Sequence, residues 1–175
     1  NKPSPFTDVL SDPHFDNGNG ERTFINNIGA AWDFSPELIP EDFFASEIIC
    51  FGGTALVPQI HDNLTCLLAK GKKNNCITIV NTVFDFRNEK RAPGKPWPLV
   101  NGDDGYRYID ILIMDNEEAL KISGRNTREE AADHFAGTGI SSFIITHGAK
   151  EITAYSNGQF FGSEGVFRSP VSEIG

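Results

Sequence analysis

Asp115 and Glu118 carry the clearest chemical potential in this sequence, in the run Asp115-Asn116-Glu117-Glu118 that follows the apolar stretch Ile111 to Met114. On the first turn of a helix these carboxylates could orient water on a hard divalent cation, Mg2+ for instance, beside a phosphate. A helix start favours the same residues without any ligand, by about 0.3–1 kcal/mol per acidic side chain, and Asp115 is equally well placed as a plain N-cap. Thr146-His147-Gly148 offers a hydroxyl and a backbone that a phosphate chain can approach, although Thr and Gly also recur where strands turn for backbone reasons. Asp85 and Arg87 suit either a phosphate contact or a structural ion pair. His14, His61, His134 and His147 show no metal-ligand spacing with one another or with Cys50, Cys66 and Cys76. They are expected to be solvated or partly buried, and only His147 falls where a ligand would sit. No Gly-x-Ser-x-Gly, Gly-x-Gly-x-x-Gly or Gly-x-x-x-x-Gly-Lys-Ser/Thr is present.

These residues need strands to bring them together. Ile48 to Phe51 ends in Gly52-Gly53. Ile60, Leu64, Leu67 and Leu68 then recur at helical spacing up to Lys73, which predicts one amphipathic helix. Cys76 to Phe84, Asp110 to Met114 and Ser142 to Thr146 are β-branched and nearly continuous in apolar character, as strands covered on both faces are. Thr127 to Glu130 has the form of a capping box and opens a second helix. Ile152 to Tyr155 and Gln159 to Phe161, joined by Asn157-Gly158, make a closing hairpin. Strand and helix alternation implies parallel βαβ units, and such sheets take ligands beyond the carboxyl ends of their strands. Asp85, Asp115 and Thr146 stand at three successive ends. Residues 88–108, rich in proline, are expected to be a surface excursion. Ahead of this core, Pro5 to Leu10 and Arg22 to Asn27 flank Asn17-Gly18-Asn19-Gly20 and predict a β-hairpin that must pack on the core or on another subunit.

Composition narrows the class. The 175 residues hold 15 Lys+Arg against 24 Asp+Glu, a formal net charge of -9, which argues against a nucleic-acid partner. No apolar run approaches the roughly 18–20 residues that span a bilayer, so no membrane partner is expected. Three widely spaced cysteines in apolar contexts read as buried thiols, and the expected location is cytoplasmic.

The order of the features carries more information than any one of them. Gly20-Glu21-Arg22-Thr23-Phe24, Gly29-Ala30-Ala31, Gly52-Gly53, Asp85, Ile111 to Ala119, Ile122-Ser123-Gly124 and Ile144 to Lys150 follow one another. This succession resembles the middle of a ribokinase-like (PfkB) carbohydrate kinase over nearly the whole chain. The resemblance implies an α/β fold: a Rossmann-like, mostly parallel sheet with helices, incomplete here, over residues 36–175, and a partial β lid over residues 1–35. It implies ATP and Mg2+ as cofactors and a sugar as the other substrate. Asp115 falls where the family has the Asn of Asn-x-x-Glu, Glu118 falls on its Glu, and both are assigned to the metal and the ATP phosphates. Thr146 and Gly148 fall on the Thr-x-Gly of the nucleotide site. Asp85 falls on the Asp of Asp-Pro-Asn-x-Arg, with Phe86, Arg87 and Glu89 departing from that pattern.

The leading sugar-binding part and the Gly-Ala-Gly-Asp motif, whose Asp is the general base, are not in these residues. The base is expected beyond Gly175, no catalytic residue is assigned here, and the chain reads as an internal piece, inactive alone. A homodimer through the lid is a further implication. The departures at Asp115, Arg87 and Glu89 sustain a second reading, a non-catalytic ligand-binding or regulatory relative. A piece of a larger core is expected to expose an unusual amount of apolar surface.

Overall fold

The computed structural model describes residues 2–15, 20–148 and 150–161. Two sheets are present among the described residues. Strands β1 (Phe6–Asp12) and β2 (Glu21–Asn27) pair antiparallel with Val9 opposite Phe24. The turn expected at Asn17-Gly18-Asn19 lies outside the described residues. Every residue of both strands is exposed, Phe6, Val9, Leu10, Phe24 and Ile25 included, so the described part of the chain does not cover this ribbon.

The second sheet has six strands in sequence order: β3 (Ile48–Gly52), β4 (Ile77–Asn81), β5 (Ile111–Asp115), β6 (Ser142–Thr146), β7 (Thr153–Ser156) and β8 (Gln159–Phe161). The first four are parallel and the last two antiparallel. Asn157 and Gly158 both have positive φ, 48° and 85°, the backbone that lets a two-residue turn follow the twist of β7 and β8. The helices are α1 (Pro58–Asp62), α2 (Leu64–Lys73), α3 (Phe86–Arg91), α4 (Asn116–Ser123) and α5 (Arg128–Gly137). This is the mostly parallel α/β architecture with a small separate β-sheet that the sequence implied.

The core lies against one face of the sheet. Ile49, Phe51, Val80, Leu112, Met114, Phe143 and Ile145 alternate inward and meet Ile60, Leu64, Leu68, Ala119, Ile122 and Phe135 of the helices. At Gly71 of α2 an added Cβ would collide with Ile49, so helix and strand are in direct contact there.

Several expectations need correction. The strands are not covered on both faces: along β3 exposure alternates strictly, and Ile48 and Ile77 on the opposite face are 54% and 47% exposed. The helix expected over Ile60 to Lys73 is two helices. Asn63 breaks it, its side-chain amide donating to the Gln59 carbonyl at 2.8 Å and so competing with the helical backbone bond. The run Cys76 to Phe84 stops being a strand at Asn81. Residues 88–108 are not a surface excursion. They begin within α3, and Trp97, Leu99 and Tyr106 turn into the core, with the Trp97 indole N–H donating to Glu89 at 2.8 Å.

Only Cys76 is buried. Cys50 lies on the open face of β3 and Cys66 on the outer side of α2, positions that apolar sequence neighbours do not reveal. His61 is neither solvated nor partly buried but interior. At α5, Thr127 caps Glu130 N–H as expected, while the Glu130 carboxylate reaches the Asn126 amide instead of closing a box on Thr127.

Candidate functional site

The parallel register brings the strand ends side by side. Gly52 pairs with Asn81, and Asp115 pairs with Thr146. Asp115 is the N-cap of α4: its Oδ1 accepts the Glu118 N–H at 2.8 Å, and Glu118 Oε2 accepts the Asp115 N–H at 3.0 Å. The two carboxylates thus satisfy the orphan donors of the helix start reciprocally. Glu118 Oε2 also accepts the Thr82 hydroxyl at 2.5 Å, which ties the segment after β4 to the start of α4.

Glu118 is 7% exposed. Burial pushes its carboxyl up, and the Asp115 and Glu117 charges act in the same direction, against the pull of the Thr82 hydroxyl and the Asp115 amide. Among the described residues, Glu118 Oε1 and Asp115 Oδ2 accept no hydrogen bond. Thr146 is half-buried, its hydroxyl 3.4 Å from the Met114 carbonyl. Gly148 follows in a left-handed turn with φ 53° and is exposed. His147 sits between them, half-buried.

Asp85 and Arg87 are not paired with each other. Asp85 caps α3, accepting the Asn88 backbone N–H at 3.0 Å and the Asn88 side-chain amide at 2.5 Å. Its Oδ2 is also 3.4 Å from His61 Nε2. Burial disfavours the Asp85 anion, but the bonds from His61 and Asn88 outweigh it and hold the carboxyl at about 2. Nε2 of His61 faces two acceptors, Asp85 and the Pro98 carbonyl at 2.9 Å, so it carries a proton, while Nδ1 meets the Thr54 hydroxyl at 2.9 Å. Arg87 instead makes a two-pronged pair with Asp62, at the end of α1.

Thr54, His61, Thr82 and Asp85 line one narrow crevice with Trp97 and Leu99 beyond the ends of β3 and β4, and most of the surface exposed in it is apolar. The structure therefore brings Asp115, Glu118 and Thr146 together and commits Asp85 and Arg87 to internal partners. Sequence inspection missed Thr82 and His61. Thr82 was hidden because the apolar run reads as a strand through Phe84, past the observed end of β4 at Asn81; His61 was hidden because its partners lie 7, 24 and 37 residues away.

The result is an α/β protein whose capped carboxylate pair lies at the strand ends, the region where open parallel sheets take their ligands. The chain belongs to the pfkB family carbohydrate kinases, whose sequence profile matches residues 14–175. Its fold is similar to that of ribokinase from Thermotoga maritima, with TM-score 0.67 and 20% identity over 97% of this chain and 50% of that one. It is similar to Arabidopsis thaliana ribokinase complexed with ribose and ATP, with TM-score 0.64 and 16% identity over 99% of this chain and 51% of that one. It is also similar to a putative ribokinase II from E. coli in complex with ATP and Mg2+, with TM-score 0.65 and 20% identity over 88% of this chain and 49% of that one. The chain spans about half the length of these solved structures. No curated protein sequence matches it.

Proposed function

We propose that these residues form the metal- and nucleotide-facing side of an ATP-dependent carbohydrate kinase, a transferase that moves the γ-phosphate of ATP to a sugar hydroxyl with Mg2+. The observation that carries this reading is the adjacency of Asp115 and Thr146 at neighbouring strand ends, with Glu118 locked behind Asp115, in a chain of the pfkB family. The ATP and the Mg2+ in the solved complexes of similar fold support the choice of ligands.

The residues fit such a metal. Glu118 Oε1 and Asp115 Oδ2 are hard oxygens without a hydrogen-bond donor among the described residues. No group of three or more His, Cys, Asp or Glu that would make a full cage occurs among the described residues. One or two carboxylates, with phosphates and water completing the shell, is how proteins usually hold Mg2+. When bound there the ion neutralises phosphate charge. Thr146 offers its hydroxyl and Gly148 an unobstructed backbone to the nucleotide. Asp85 and Arg87 border the site from the β4 side and act through the placement of α3.

The base for the sugar hydroxyl comes from outside these residues, so this chain alone is inactive. Residues 1–35 act as the lid and residues 36–175 as the nucleotide core, in a cytoplasmic protein. The exposed ribbon of β1 and β2 suits pairing with a second copy, which light scattering on the complete polypeptide would test. A coupled ADP-release assay on that polypeptide across a panel of sugars tests the main reading. Turnover lost in Glu118→Ala supports it, and no turnover with any sugar or nucleoside removes it.

One observation favours a second reading, a non-catalytic ligand-binding or regulatory relative: Asp85 and Arg87 are both engaged internally, and Asp115 stands where the family has Asn. Calorimetry with Mg2+ and ATP separates the two, because only the kinase reading requires nucleotide binding.

A further inference from the structure

Glu118 is held through one of its two oxygens. Oε2 accepts the Asp115 N–H at 3.0 Å and the Thr82 hydroxyl at 2.5 Å, which fills both lone pairs of that atom, while Oε1 accepts nothing among the described residues. The terminal torsion of a glutamate is broad and nearly two-fold, so the Asp115 amide alone would leave the carboxylate free to turn and exchange its oxygens. A second donor, arriving from the neighbouring strand, fixes its plane. Thr82 has one proton to give and two acceptors in reach, the Ile113 carbonyl at 3.2 Å and Glu118 Oε2. The nearer, carboxylate oxygen takes it, in a bond of charge-assisted length.

The donor is itself immobilised. Threonine is β-branched and stiff at χ1. The Thr82 backbone N–H donates to the Ile113 carbonyl at 3.0 Å, which carries the pairing of β4 with β5 one residue past Asn81. Three residues further on, Asp85 is anchored between His61 and Asn88. Around it, Thr82 packs into the narrow crevice walled by Val83, Trp97, Leu99 and Ile122. We propose that Thr82 is a positioning residue for the metal site: its hydroxyl commits Oε2 of Glu118 to the protein and leaves Oε1 as the oxygen offered to Mg2+. This rests on the kinase reading of Glu118 and adds to it a residue that acts only through that carboxylate. The same bond also joins the end of β4 to α4, so the test must separate aiming the carboxylate from stapling two elements together. Valine keeps the shape of the side chain and removes its proton, whereas serine keeps the proton on a less constrained side chain.

The experiment is calorimetry on the complete polypeptide, with ADP titrated at a series of Mg2+ concentrations and again in EDTA. Thr82→Val should raise the Mg2+ concentration that half-saturates nucleotide binding at least tenfold, while ADP affinity in EDTA stays within twofold of the parent. Thr82→Ser should return the Mg2+ midpoint to within threefold. Thr82→Ala is read in the same way if the valine variant does not fold. An unchanged Mg2+ midpoint, equal weakening with and without the metal, or a serine variant as impaired as the valine one would overturn the role of Thr82 and leave the kinase reading standing. A parent that binds ADP without dependence on Mg2+, or does not bind it, overturns both.

Discussion

His61 Nε2 and Asp85 Oδ2 face each other at 3.4 Å with both side chains at least 95% buried, which fastens α1 to the N-terminus of α3. The neighbouring pair of Asp62 with Arg87 repeats the connection one residue after His61 and two after Asp85. Together they fix the segment Thr82 to Asp85, and with it the hydroxyl that Thr82 places on Glu118.

The Asp85 carboxyl, held at about 2 against 3.8 for a free aspartate, stabilises the native state by about 2 kcal/mol wherever both states are ionised. Because the folded value is the lower one, this contribution is fully present above about pH 4 and is lost as pH falls toward 2. Urea unfolding at pH 5 and pH 2 should show the stability gap between the parent and Asp85→Asn shrinking by about that amount. An unchanged gap would remove the pairing.

Glu118 has the opposite sign. Its folded carboxyl lies above 4.5, so its contribution favours folding below that pH and is lost as pH rises through the folded value. Glu118→Gln keeps an acceptor for the Asp115 amide and the Thr82 hydroxyl while removing a buried charge. The variant should match or exceed parent stability at pH 7, with a smaller advantage at pH 4, and should lose Mg2+-dependent nucleotide binding measured by calorimetry on the complete polypeptide.

Asp115 divides cap from charge. Asp115→Ala removes the acceptor for the Glu118 amide and should cost about 1 kcal/mol in denaturant unfolding, whereas Asp115→Asn retains a good cap and should cost a few tenths at most. Equal losses in the two variants would show that the cap contributes little.

Gly71 tests helix–sheet contact. An added Cβ meets Ile49 Cδ1 and presses on Thr78 Cγ2 at 3.3 Å, so Gly71→Ala should destabilise by about 1–2 kcal/mol despite the better helix propensity of alanine. Adding Ile49→Val, which removes the obstructing methyl, should restore part of that loss, a non-additivity expected only between residues in contact.

Local chemistry was legible in the amino-acid sequence alone. The β-branched runs marked β3 to β6, Asn157-Gly158 marked the last hairpin, and Asp115 with Glu118 marked a capped helix start, because strand pleat, turn geometry and helix ends each depend on residues a few positions apart. That Asp115 stands beside Thr146 was decided by the tertiary structure, because strands alternating with helices can be wound into a sheet in more than one order. Tertiary structure decided what depends on distant partners. Asp85 turned to His61 and Arg87 to Asp62, each more than 20 residues away, and no spacing rule encodes which of two nearby charges a buried histidine selects. Trp97 brought a proline-rich segment into the core through Glu89, against its irregular local pattern. The apolar runs specified strands able to be buried on both faces; only the packing of the helices determined which face is covered among the described residues.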